Sequence, residues 1–151
     1  MAITSTQTYD TRYRTNVKYV VNADANTTVS LLDVSGLVGH QAAPNLGLVN
    51  IAKISWWSSA PSGGLDIIWD ATSNVIAFIC EGASGTYGFM PGQPAIYNDA
   101  AAANRTGDVL ITNASATFTL CIEYHKVANA QGLGWSATDA VLGPPLSNLG
   151  G

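Results

Sequence analysis

Hydrophobic residues in this chain come in short runs, many alternating with polar ones, and the runs end at Gly, Pro, Asn or Ser. The clearest is TFTLCIEYHKV, where Phe118, Leu120, Ile122 and Tyr124 alternate with Thr119, Cys121, Glu123 and His125. A period of two puts one set on a buried face and the other toward solvent, which is a strand. The same reading, helped by β-branched and aromatic content, predicts strands near Val17–Val21, Thr28–Asp33, Val49–Trp57, Leu65–Asp70, Val75–Glu81, Thr86–Phe89, Asp108–Thr112 and Thr117–Val127. TNASA, between the last two, has the length of a hairpin turn, and EGASGTYG reads as another. Helical signals reduce to NDAAAANRTG, which predicts one or two turns capped by Asn98 or Asp99 and stopped at Gly107.

About eight short strands with regular turn signals predict an all-β fold, an antiparallel β-sandwich of jelly-roll or immunoglobulin-like type. The expected organisation is one sandwich domain, residues 17–127, between an extended N-terminal arm, 1–16, and a C-terminal strap, 128–151. The arm is polar, with Tyr9 and Tyr13 interleaved with Arg12 and Arg14. The strap is too apolar for a freely solvated tail, with Trp135 among several Leu and Val residues and one charge, Asp139.

Three of the four tryptophans fall within KISWWSSAPSGGLDIIWD. Neighbours in a strand point to opposite faces, so Trp56 and Trp57 cannot share a surface. Trp69 and one of the pair are expected inside the sandwich, and the other near a rim, a strap or a subunit contact. A flat aromatic platform for a sugar is disfavoured.

Composition sharpens this picture. Charged residues make up 11% of the chain and hydrophobic ones 47%, so the surface is covered largely by uncharged polar groups. Such a surface favours a subunit that lives inside an assembly, hence a homo-oligomer. Six basic and ten acidic residues, net −4, argue against nucleic acid, which needs clustered cations. No run of about 18 apolar residues exists to span a membrane. Cys80 and Cys121 fit no metal or redox spacing; two buried thiols are expected rather than a disulfide.

Catalytic chemistry is sparse. His40 lies in a Gly-rich loop and His125 near a strand end, with no nucleophile-elbow pattern. Asp66 and Asp70 share a face but stand about 13 Å apart along a strand, beyond the roughly 5–9.5 Å of glycosidase pairs. No cluster has zinc or calcium-loop spacing. The expectation is a protein that is not an enzyme and takes no cofactor or metal.

The run from Ile51 to Val127, through KISWW, GTYGFMPGQPAIYNDAAAANRTGDVLITN and ATFTLCIEYHKV, resembles small virion structural proteins of tailed bacteriophages. It is most similar in layout to capsid decoration, or cement, proteins. The resemblance covers about half the chain and rests on texture rather than a motif. It implies a β-sandwich on the outer capsid surface, often a homotrimer, made in the host cytoplasm and bridging neighbouring copies of the major capsid protein. It carries over no catalytic residue. The residues expected to contact that partner are Tyr9, Arg12, Tyr13, Arg14, Lys18 and Trp135, because Tyr, Trp and Arg dominate the energetic centres of interfaces. Deleting residues 1–14 is expected to abolish shell binding and spare the fold. The rival expectation is a carbohydrate- or receptor-binding head of a fibre or adhesin, using Tyr87, Phe89 and Tyr97 near loop tips.

Overall fold

The computed structural model describes residues 2–24, 26–128 and 133–136. Nine strands follow in chain order: β1 (Ile3–Asp10), β2 (Arg14–Val21), β3 (Val29–Leu32), β4 (Leu48–Ser58), β5 (Gly64–Ala71), β6 (Val75–Glu81), β7 (Ser84–Tyr87), β8 (Arg105–Thr112) and β9 (Phe118–Val127). The antiparallel pairs are nested. β5 pairs with β6, β4 with β7, β3 with β8 and β2 with β9. The chain is thus one long hairpin folded over on itself, whose rungs fall alternately into two sheets. One sheet runs β1-β2-β9-β4-β7 and the other β3-β8-β5-β6. That order is a jelly roll, which decides between the two sandwich types the periodicity allowed.

Alternation supplies the core. Val17, Tyr19 and Val21 of β2, Ile51, Ile54 and Trp56 of β4, and Leu120, Ile122 and Tyr124 of β9 are buried from one sheet. Leu65, Ile67 and Trp69 of β5 with Val109 and Ile111 of β8 are buried from the other. Each such side chain contributes about 1.5–3 kcal/mol by leaving water. The two polar tips in this layer satisfy each other: the Tyr19 and Tyr124 hydroxyls lie 3.0 Å apart. Burial pushes both phenols up, so they stay neutral. The tryptophans divide as alternation requires. Trp69 and Trp56 are inside, while Trp57 is 54% exposed. Trp56 packs edge-on to Phe78 at 5.6 Å and donates its indole N–H to the Glu81 carbonyl. Gly85 lies directly against the Trp56 ring, where a Cβ would collide.

The eight expected strands are present, with boundaries shifted by a few residues, and a ninth precedes them. The segment read as an N-terminal arm holds this extra strand: β1 pairs with β2 from Ile3↔Val21 to Asp10↔Thr15, and β2 begins at Arg14 rather than Val17. Polar TSTQT gave no hydrophobic alternation to detect, because β1 is an edge strand with little to bury. Residues 1–14 are therefore largely part of the five-stranded sheet rather than a free arm. TNASA is not a hairpin turn, since it connects β8 and β9 in different sheets, and EGASGTYG is not one either: it contains β7, which Gly82 and Ala83 join to β6 of the other sheet. NDAAAANRTG forms turns without a helix, the Asn98 side chain accepting from the Ala100 N–H. Gly107 is no helix stop; it sits inside β8 at φ 87°, where the ladder to β5 shifts register. Both cysteines are free, Cys80 buried in β6 and Cys121 half-buried in β9 of the other sheet. Of the C-terminal strap, only residues 128 and 133–136 lie within the described residues.

Candidate functional site

One end of the sandwich is tied together by an ion pair. Lys126, at the end of β9, has a side chain 1% exposed. Its Nζ donates to Asp10 Oδ1 at 2.6 Å, to the Thr11 carbonyl at 2.6 Å and to the Val38 carbonyl at 2.8 Å. Asp10 Oδ2 in turn accepts from the Val38 N–H. A buried ammonium is tolerated because three acceptors replace its water; desolvation still pulls its pKa down, against the opposing pull of Asp10. The Trp135 ring lies 5.0 Å from the same Nζ, and its indole N–H is shared between the Leu48 and Val127 carbonyls. Trp135 also meets His40 edge-on at 5.2 Å. Gly47 leaves the room for both rings, since a Cβ there would come within 2.9 Å of each.

This latch sets the β1–β2 turn against the body, and the turn presents four of the six expected contact residues. The Arg12 guanidinium lies over the Tyr13 ring at 5.2 Å, and Arg14 over Tyr9 at 5.6 Å. Tyr13 and Arg14 are exposed, while Tyr9 and Arg12 are half-buried. Arg14 reaches Glu123 at 3.6 Å, and Glu123 takes a 2.9 Å hydrogen bond from His125. Burial works to raise the Glu123 pKa, but the His125 hydrogen bond and the charges of Lys53, His125 and Arg14 bring it below the ordinary range. Lys18 stands farther along the same outer face, opposite Cys121. Tyr9, Arg12, Tyr13 and Arg14 thus gather about the β1–β2 turn, with Lys18 in the middle of β2. Trp135 is at the same end but half-buried against its own sandwich, held in cis by its hydrogen bonds.

The residues with catalytic potential are engaged in the scaffold and do not converge. Asp66 accepts from the Asn113 amide at 2.7 Å, and Asp70 from the Thr106 hydroxyl at 2.6 Å. His125 is bound to Glu123 on an open face, with no nucleophile in the contact. Burial pulls the His40 pKa down and favours its neutral form. The Cys80 thiol is pushed up to about 12, mainly by burial, which makes it a poor nucleophile. Among the described residues, no group of three His, Cys, Asp or Glu could hold a metal ion. No described helix is long and apolar enough to cross a membrane. A cleft of about 250 Å³ opens between β1–β2 and β3, lined by Val17, Tyr19, Leu31 and Leu37 with Asp33 at its margin. Its titratable groups are Asp33 and the Tyr19 phenol, which burial keeps neutral.

Of the expected aromatic loop tips, Phe89 and Tyr97 are exposed, whereas Tyr87 turns inward onto Phe78 at 5.6 Å. The sequence reading missed Asp10, Lys126 and Glu123. Lys126 carried a faint signal as a charge closing an otherwise alternating strand, but its partners lie more than 80 positions away.

No family model matches the sequence, and no curated protein matches it. Among solved structures, it is similar to an RmlC-like cupin protein from Desulfovibrio desulfuricans, at 8% identity over 80% of each chain with a TM-score of 0.32. A likeness at that level carries no argument about activity, and the jelly roll stands on its own strand pairing.

Proposed function

We propose that this protein is a non-enzymatic virion structural subunit that decorates a bacteriophage capsid and stabilises it by bridging neighbouring copies of the major capsid protein. The observation that carries the reading is the Arg–Tyr cluster at the latched end of the sandwich. Two cation–π pairs, Arg12–Tyr13 and Arg14–Tyr9, sit on a turn fixed by the Lys126–Asp10 pair. Large aromatic and guanidinium groups held in place lose little freedom on docking, which is how a small patch gains affinity. Repetition of the site over a shell adds avidity without any single strong contact.

The test is co-sedimentation with empty shells assembled from the major capsid protein encoded with it. Arg12→Ala/Tyr13→Ala changes exposed or half-exposed groups and should leave the melting curve intact while weakening shell binding at least about tenfold. Unchanged binding by that variant would refute the assignment of the cluster. A second reading, a glycan- or receptor-binding head, is favoured by the exposure of Phe89 and Tyr97. It predicts saturable glycan binding that Phe89→Ala and Tyr97→Ala abolish.

A further inference from the structure

We propose that the outer face of the four-stranded sheet is a docking surface for a second copy of this chain, and that it receives the outer face of that copy's five-stranded sheet. An antiparallel sheet packed on one side normally alternates apolar-in and polar-out. Here the outward positions of the four-stranded sheet break the rule. Leu110, Ile68 and Ile76 are successive cross-strand partners on β8, β5 and β6, and Ile79 lies opposite Asp66 one row along. Ile76 and Ile79 are 56% and 44% exposed. Ile68 lies between Leu110 and Ile76, outside the core cluster, yet is only 6% exposed. The rim of this stripe is acidic, with Asp66 and Asp70 on β5, Glu81 on β6 and Asp108 on β8. Arg105, on the same sheet, turns its guanidinium onto the Asn98 and Ala100 carbonyls.

The five-stranded sheet presents the complement. Its outward rows carry Arg14 beside His125, Lys53 beside Glu123, and Lys18 beside Cys121. Val20 and Trp57 flank Thr119 in one row, both exposed. One face therefore offers an apolar stripe ringed by carboxylates, and the other an exposed Trp and Val beside cations. Opposite charges across such a contact fix its orientation and disfavour pairing of like faces. The two patches lie on opposite sides of the molecule, so the contact is heterologous. Strand spacing and rise give a footprint of roughly 20 by 25 Å, at the small end for specific interfaces, so the association should be concentration-dependent. It shares Arg14 and Lys18 with the surface proposed for the shell, but its test uses neither a shell nor the Arg12–Tyr13 variant, so the two proposals fail separately.

Sedimentation velocity of the full chain, free of any shell, tests it. The weight-average mass should rise above 15.7 kDa between about 1 and 200 μM and fall back in about 0.5 M salt. Ile76→Lys/Ile79→Lys blocks one face and Lys18→Glu/Lys53→Glu the other; all four side chains are exposed, so both variants should stay folded by circular dichroism. Each alone should be monomeric. Mixed one to one, they should form a dimer and nothing larger, since each retains one intact face. A wild-type chain that stays at 15.7 kDa throughout would overturn the proposal. So would folded blocked variants that remain monomeric when mixed, or a Lys18→Glu/Lys53→Glu chain that still pairs with itself.

Discussion

The two outer faces of this sandwich are built by the same alternation and have opposite characters. On the five-stranded sheet most outward positions are polar, with Arg14, Lys18 and Lys53 beside Glu123 and His125, and with Val20 and Trp57 exposed in one row. On the four-stranded sheet they carry an isoleucine-rich stripe edged by four carboxylates. The inward residues are interchangeable in kind, Ile, Leu, Val, Trp and Tyr throughout. The fold is thus specified by the inner faces, and what distinguishes one side of the molecule from the other is written in the outer ones.

That contrast can be attacked at several points, and the largest effect is expected at the latch that holds the cationic face in place. Lys126→Met leaves Asp10 buried without its cation and should destabilise the fold by about 3–5 kcal/mol, read by denaturant unfolding. Adding Asp10→Leu should recover much of that loss, because the carboxylate goes with its partner. Next comes Ile68→Ala. Although the side chain lies outside the core cluster, its burial predicts a loss of about 2 kcal/mol or more, the cost of a core truncation. Ile76→Ala, at the direct cross-strand partner of Ile68, should cost about 0.5 kcal/mol or less in the isolated chain. The pair separates stripe residues that hold the sheet from those left for a partner. Gly85→Ala probes the inner face instead: its Cβ would strike the Trp56 ring and should cost about 1–3 kcal/mol.

The smallest effect is electrostatic. Burial raises the Asp108 pKa above its ordinary 3.8, with the charges of Asp33 and Asp70 adding to it and the Val34 N–H opposing. The folded state then holds this proton more tightly than the unfolded chain does. Wild-type stability is therefore favoured at low pH and declines as pH rises through the folded-state value. Asp108→Asn should be more stable than wild type by about 0.5 kcal/mol at neutral pH, the advantage shrinking as pH falls toward 3.8. A pH-independent difference would show that the acidic rim is not strained.

Much of the body was legible from alternation. Eight strands, the burial of Trp69 and of one member of the Trp56–Trp57 pair, and the exposure of the other follow from a period of two; that Trp56 is the buried one was settled only by the structure. β1 was not, because an edge strand of Ser, Thr and Gln buries too little to leave a pattern. The connections read as hairpins, TNASA and EGASGTYG, cross between sheets; loop length alone does not say which strand waits at the far side. For the site, Tyr9, Arg12, Tyr13 and Arg14, close in sequence, gather about the β1–β2 turn, while Lys18 stands mid-strand. Trp135 lies at the same end as the turn but is committed to its own chain. Lys126–Asp10 was hidden because it joins residues 116 apart, and the outer stripe because Ile68, Ile76 and Leu110 become neighbours only once register is known.

Beneath both faces lies one idea, that this jelly roll acts by surface contact rather than by bond chemistry. The most direct measurement is the sedimented mass of empty capsid shells titrated with the wild-type protein. Saturation at a fixed number of copies per shell, with the added mass lost when Arg12 and Tyr13 are both replaced by Ala, is the predicted result. Folded protein left wholly in the supernatant at every ratio would contradict it.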